Sequence, residues 1–241
     1  MNINMSNFIT CKSLVQTDAS LKKYKFAVYE KFRQLNYVEH SSYNSKKFKK
    51  TCQETLDLYV PLSYSIGIDD IGKRMEDLAF KGLLPKKHRK ILAHLKTLNY
   101  QESEIFNIKN ALTDLFEKAG ISVIIYGRIK RPYSIWKKMQ SKKVPIHKIN
   151  DIMAIRIITA TISDCYVVLE MMRNICKFKD ESFKNYIEEP KENGYQSLHA
   201  LFELENNKRL EVQIRTYDMH VKAECINASH WFYKYYKRLS K

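Results

Sequence analysis

Two hydrophobic periods divide the chain. From Gln53 onward, apolar residues recur at the three- and four-residue spacing of helices, whereas after Gly120 they gather in β-branched runs. In the first half, Leu56, Leu58, Tyr59 and Leu62 mark a helical stretch, and Pro61 predicts a kink or boundary within it. Asp69 and Asp70 cap and charge the start of a helix through Ile71, Met75, Leu78 and Ala79, which Gly82 and Pro85 terminate. A further helix is predicted from Lys86 to Leu98, with Ile91, Leu92 and Leu95 as its buried stripe. Ser103 is the expected cap of another, carrying Ile105, Ile108, Leu112, Leu115 and Phe116 and closed by Gly120.

Beyond Gly120 the chain alternates strand and helix. The run from Ile121 to Tyr126 reads as a buried strand that Gly127–Arg131 ends with charge. Pro132 opens a helix through Met139, residues 155–160 form a second strand, and residues 164–175 a helix. Two alternating runs follow. Leu198, Ala200, Phe202 and Leu204 share one face, with Ser197, His199, Leu201 and Glu203 on the other. In the second run Leu210, Val212 and Ile214 oppose Glu211, Gln213 and Arg215. Asn206 and Asn207 suit the turn of a hairpin, and a last helix spans about residues 217–236. The order argues an α+β fold, a mixed or antiparallel sheet flanked by helices, preceded by an all-helical segment. The change of period sets the expected boundary: residues 1–117 helical, residues 118–241 the α+β domain.

Composition narrows the classes. A chain of 241 residues with 44% hydrophobic and 28% charged residues can bury one large core or two modest ones. Its net charge of +16 favours polyanionic partners, nucleotides or RNA, although a solvated lysine-rich surface gives the same number. The first 50 residues interleave lysines with Tyr24, Phe26, Tyr29 and Phe32 and read as a solvated helical face or a leader, or else a basic helix against RNA. Five cysteines without a C-x-x-C pair argue against a disulfide framework or a zinc site and fit a reducing cytoplasm. His40 stands alone without a neighbouring Asp, which argues against a metal role, and His88 and His94 among lysines read as surface residues. No apolar run is long enough to span a bilayer, and the first residues lack a secretory pattern.

Candidate chemistry clusters at the strand ends. Arg128, Lys130 and Ser134 follow the first strand, while Asp151 precedes the second and Arg156 lies inside it. Lys184, Lys191 and Asn193 sit before the hairpin. Such cations suit phosphate oxygens. Asp151 and Glu211 can share Mg²⁺, and Glu211 can take a proton from a hydroxyl nucleophile. Tyr195, beside Gly194, offers a ring for stacking on a base. Each residue also has an ordinary reading: Asp151 as a turn cap, Arg156 as the partner of a carboxylate, Tyr195 as a packed aromatic. Asp151 and Arg156 would face opposite sides of a uniform strand, so Asp151 is expected before the strand proper or across a bulge.

Read together, these residues resemble the synthetase domain of the RelA/SpoT family. The matching segments are Gly127-Arg128-Ile129-Lys130 with Tyr133-Ser134-Ile135 and Lys138, and Asp151 with Ala154-Ile155-Arg156. They continue with Lys184 and Tyr186-Ile187, Asn193-Gly194-Tyr195-Gln196-Ser197-Leu198-His199, Glu211-Val212-Gln213-Ile214-Arg215-Thr216, and Met219-His220 with Ala223-Glu224. The resemblance implies a nucleotidyltransferase-like domain that transfers pyrophosphate from ATP to the 3′-hydroxyl of GDP or GTP, in the stringent response of a bacterial cytoplasm. It implies that Arg128 and Arg156 sandwich adenine and that Lys130, Ser134 and Lys138 hold ATP phosphates. Asp151 and Glu211 would bind Mg²⁺, with Glu211 also activating the hydroxyl. Tyr195 would stack on guanine, with Lys191, Asn193, His199, Gln213 and Lys184 around the acceptor.

The helical half is similar to the segment that joins hydrolase and synthetase domains in long members, on the residues Glu54-Thr55-Leu56-Asp57-Leu58-Tyr59-Val60-Pro61-Leu62 and Leu78-Ala79-Phe80. The hydrolase His-Asp motif is absent upstream, so alarmone hydrolysis is not expected, and the chain reads as a shortened member. Bifunctional members carry an Arg-x-Lys-Asp where this chain has Ser182-Phe183-Lys184-Asn185, which predicts weakened or altered activity. Two alternatives stand beside synthesis: a remnant that binds nucleotide or RNA without turnover, and transfer to another acceptor such as a different purine nucleotide or a tRNA 3′ end.

Overall fold

Alternating apolar and polar residues build a six-stranded mixed sheet in the computed structural model, which describes residues 18–39, 46–204 and 208–224. The strands are β1 (Val123–Ile129), β2 (Met153–Thr159), β3 (Lys177–Phe178), β4 (Lys184–Asn185), β5 (Leu198–Glu203) and β6 (Arg209–Thr216). Their order is β1-β2-β6-β5-β3, with β4 also paired to β5. β2 and β6 run parallel, and the other pairs are antiparallel. The fold is α+β, as the element order predicts. The Asn206-Asn207 turn lies outside the described residues, but β5 and β6 pair as that hairpin requires.

The helices preceding the sheet are α1 (Asp18–Glu39), α2 (Lys46–Glu54), α3 (Val60–Ser65), α4 (Asp69–Leu83), α5 (Pro85–Leu98) and α6 (Glu102–Lys118). Within and after the sheet come α7 (Pro132–Lys142), α8 (Ile162–Ile175) and a helical stretch, α9, over residues 217–224. The rest of the expected last helix lies outside the described residues, as do residues 1–17, Cys11, His40 and Cys225. Two units emerge, one ending at Arg89 and one beginning at Lys90. The change of period expected as a boundary at residue 118 therefore falls inside the second unit.

In the first unit, Val28, Leu35, Phe48, Cys52, Val60, Met75 and Ala79 form one buried cluster. Residues 18–39 are thus no solvated leader: Val28 and Leu35 commit α1 to this core. The Pro61 kink takes the form of a π-helical turn, Thr55–Tyr59, in which the Val60 N–H donates to the Thr55 carbonyl. His88 is buried with its ring edge-on to Phe80 at 5.6 Å, a correction to its surface reading. Ile91 is buried as expected, whereas Leu92 is exposed.

In the second unit, α6 and α8 pack on one face of the sheet. Ile105, Leu112 and Phe116 meet Ile155, Ile157, Val212 and Ile214, joined by Val168, Leu169 and Met172. α6 starts one residue before Ser103, and its cap is Gln101, whose N–H reaches the Glu104 carboxylate at 3.0 Å. β1 continues through Arg128 to Ile129 and is an edge strand, with Ile124 and Tyr126 half-exposed rather than buried. On its other face Gly127 lets α6 approach: a Cβ there would collide with Ile105 Cγ2. The opposite face of the sheet carries the polar residues. Among the described residues no helix is long and apolar enough to cross a membrane.

Candidate functional site

Strand register sorts the polar face into rows. Tyr126 on β1 lies opposite Arg156 on β2, Arg156 opposite Gln213 on β6, Gln213 opposite His199 on β5, and His199 opposite Lys184 on β4. At the usual strand spacing this row is about 19 Å wide. The adjacent row places Arg128, Ala154, Glu211 and Leu201 in line. Small Ala154 leaves a gap between its neighbours. A pocket of about 90 Å³ opens there, lined by Tyr126, Gly127, Arg128, Ala154, Ile155, Arg156 and Gln213. The two arginines expected to flank a base therefore wall one pocket.

Asp151 stands ahead of β2, which begins at Met153, so the expected break before the strand is present. The Lys130 N–H donates to Ile152 O at 2.7 Å and extends the β1–β2 ladder by one residue, bringing Lys130 alongside. Lys138, one turn beyond Ser134 on α7, approaches from the helix. Both ammonium groups donate to Asp151 Oδ2, while Oδ1 is buried and accepts no hydrogen bond. Burial pushes the Asp151 carboxyl up, but Lys130 and Lys138 outweigh it and hold the group below its usual value. Burial lowers the Lys130 ammonium against the opposing pull of Asp151 and Glu211. A buried carboxylate oxygen without a partner fits an oxygen ligand for a hard divalent ion. Glu211 is the other available carboxylate, and it accepts from Gln213 Nε2 at 3.3 Å.

The far end of the rows carries the aromatic loop. Gly194, at φ 77°, occupies the left-handed region, and its N–H donates to Lys191 O at 2.7 Å, closing the turn. The Asn193 side chain accepts from the Tyr195 N–H at 3.2 Å, so it shapes this turn as well as lying at the site's rim. Tyr195 OH meets His199 Nε2 at 2.9 Å, and Tyr186 packs edge-on to both rings. The Lys191 ammonium sits 5.0 Å from the Tyr195 ring centre, and the Arg215 guanidinium 6.0 Å from it. Burial, then Lys191 and Lys184, lower the His199 imidazole to about 4. It is therefore neutral at pH 7, and its 4.0 Å approach to Glu211 is a polar contact rather than an ion pair. With its proton on Nδ1, toward the facing carboxylate, His199 accepts at Nε2 from Tyr195.

The expected residues thus group by place. Arg128 and Arg156 wall the pocket; Lys130, Lys138 and Asp151 form one cluster, with Ser134 on the same helix face; Glu211 and Gln213 occupy the middle. Tyr195, His199, Lys191, Lys184 and Asn193 make the far end. Arg156 has the carboxylate partner that its ordinary reading proposed: its NH1 donates to Glu224 at 3.2 Å. Tyr126, His220 and Glu224 were not among the expected site residues. The i,i+4 spacing of His220 and Glu224 put them on one helix face, but no pattern in the sequence joined that face to Arg156. At the divergent segment, Ser182 Oγ donates to Lys179 O at 2.7 Å. Asn185 Oδ1 accepts from the Ile187 and Glu188 N–H groups, both at 3.2 Å, and its amide donates to Tyr166. The two acceptances would equally serve an aspartate, whereas the donation would not.

A model of the region found in RelA and SpoT proteins matches residues 127–238. A guanosine-3′,5′-bis(diphosphate) 3′-pyrophosphohydrolase of Aquifex aeolicus is 37% identical over 195 residues, 80% of this chain and 28% of that protein. A GTP pyrophosphokinase of Escherichia coli K12 is 35% identical over 184 residues, 76% of this chain and 25% of its own. Both alignments are longer than the stretch after Gly127, so similarity extends into the upstream helices. The chain spans about a quarter of the length of these relatives. A solved GTP pyrophosphokinase family protein of Streptococcus pneumoniae, 20% identical, aligns with a TM-score of 0.50 over 60% of this chain and 78% of its own, a likeness of fold alone.

Proposed function

Since this chain belongs to the RelA/SpoT family, we propose that it transfers pyrophosphate from ATP to the 3′-hydroxyl of GDP or GTP, as an alarmone synthetase of the bacterial stringent response. The observation that carries the reading is the register: a pocket between two arginines and an aromatic, cationic loop occupy opposite ends of one sheet face, with Glu211 between them.

Arg128 and Arg156 hold the donor base in their pocket. Lys130, Ser134 and Lys138 bind the donor phosphates, where two ammonium groups neutralise charge on the transferred group. Lys191, Tyr195 and His199 orient the acceptor, with Tyr195 under its base. Glu211 receives the 3′-hydroxyl proton as the oxygen attacks the β-phosphorus. The bond from that phosphorus to the α–β bridging oxygen breaks, and AMP departs. Asp151, through its unpartnered Oδ1, and Glu211 are the residues that would hold Mg²⁺, which when bound supplies further neutralisation of phosphate charge.

Purified protein incubated with ATP, Mg²⁺ and GDP or GTP should yield a nucleotide bearing a 3′-pyrophosphate. Glu211→Gln should lower turnover about 10²–10⁴-fold, while nucleotide affinity measured without Mg²⁺ stays within about twofold. No product with either acceptor would refute the proposal. Nucleotide binding without turnover, unchanged by Glu211→Gln, would favour the reading as a non-catalytic remnant.

A further inference from the structure

Glu224 has no part in the substrate contacts described above, yet it joins both arginines of the sheet's interior. Its Oε1 accepts from Arg156 NH1 and from Arg215 NH2, each at 3.2 Å. Arg215 has almost no freedom: it is 1% exposed, and its NH2 also donates to His220 Nδ1 at 2.7 Å. An arginine always donates, so this His220 nitrogen carries no proton. Burial, then Arg215, lower the His220 imidazole in keeping with that. The Tyr126 ring lies 6.1 Å from the His220 ring and closes the group against β1.

Arg156 differs from Arg215. Its side chain is 27% exposed and borders the pocket, so it has room to turn. Burial and the nearby Arg156 both lower the Arg215 guanidinium, as two neighbouring like charges would. Without an acid between them, repulsion would move the more exposed Arg156 from its place at the pocket wall. Glu224 occupies that position, on a helix that begins immediately where β6 ends.

We propose that Glu224 is a positioning residue: its carboxylate, anchored on buried Arg215, holds the Arg156 guanidinium at the pocket wall so that a flat purine ring can enter between Arg156 and Arg128. The inference rests on the reading of that pocket as the donor-base site. Held in place before binding, Arg156 loses little freedom when the ring arrives, and affinity rises by that saving.

A double-mutant cycle on the full chain tests it, with binding of a non-hydrolysable ATP analogue as the readout, and KM for ATP and for GDP beside it. Glu224→Ala should weaken analogue binding about tenfold and raise KM for ATP alike, with kcat and KM for GDP within about twofold. In an Arg156→Ala background the same substitution should change analogue affinity by less than about twofold. Glu224→Gln, which keeps an acceptor oxygen, should show an intermediate loss and serves if the alanine variant folds poorly. Equal losses in both backgrounds would overturn the inference, because Glu224 would then act without Arg156. So would a loss for Arg156→Ala with none for Glu224→Ala, which leaves the donor-base site standing. If neither substitution weakens the analogue, the reading of the pocket fails and the inference with it.

Discussion

Replacing His199 with glutamine should flatten the pH dependence of stability. The imidazole is held at about 4 by burial and by Lys191, Lys184, Arg215 and Lys138. It also faces Tyr195, Tyr186 and Glu211. In the unfolded chain the same group titrates near 6.5. Between these values the unfolded chain binds the extra proton, so the contribution of His199 is fully present above about pH 6.5 and is lost as pH falls toward 4. The full difference is about 3 kcal/mol, of which about 2 kcal/mol falls between pH 7 and pH 5. Urea unfolding followed on the transition that carries the strand signal, at both pH values and constant ionic strength, gives the measurement. Wild type should lose about 2 kcal/mol more than His199→Gln over that interval, whatever the variant's stability at pH 7. Equal slopes, or an NMR titration placing His199 near 6.5, would refute the buried, cation-surrounded environment on which the proposed acceptor end of the site is built.

Two further outcomes follow from packing and charge. Gly127→Ala should cost about 1–3 kcal/mol through collision with Ile105, and Ile105→Ala in the same chain should recover part of it; a single variant as stable as wild type would show that α6 has room to shift. Asp151→Asn removes the charge between Lys130 and Lys138 and should lower stability by about 2–3 kcal/mol, read from the urea midpoint at pH 7. The folded Asp151 carboxyl titrates below its usual value, so wild type should keep this stabilisation down to about pH 4 and lose it only below. A variant with an unchanged midpoint would contradict the cluster.

Alternation alone put Glu211 and Gln213 on one face of their strand and His199 opposite the apolar residues of its own, because side-chain direction in a strand is a local property of the backbone; that the two faces coincide came from the pairing of β5 with β6. The spacing between Asp151 and Arg156 likewise called for Asp151 before the strand or across a bulge, and β2 begins after it, at Met153. The motif residues from Arg128 to Gln213 were legible as a group from their order in the chain. Neighbours across the sheet were not. That β2 runs parallel to β6 depends on α8 crossing over the core face, and hence on contacts among Ile155, Val168 and Val212 far apart in sequence. The burial of α1, against its basic reading, was decided by Val28 and Leu35 meeting a cluster from α2 to α4. Two lysines, from a strand end and a helix, converge on Asp151, and Glu224 reaches Arg156 across 68 residues of chain. The sequence by itself determined which side chains are candidates for the site and, within each strand, which of them share a face. Only the tertiary structure decided which charges neutralise one another, because an ion pair depends on distance in space and a periodic pattern carries no record of it.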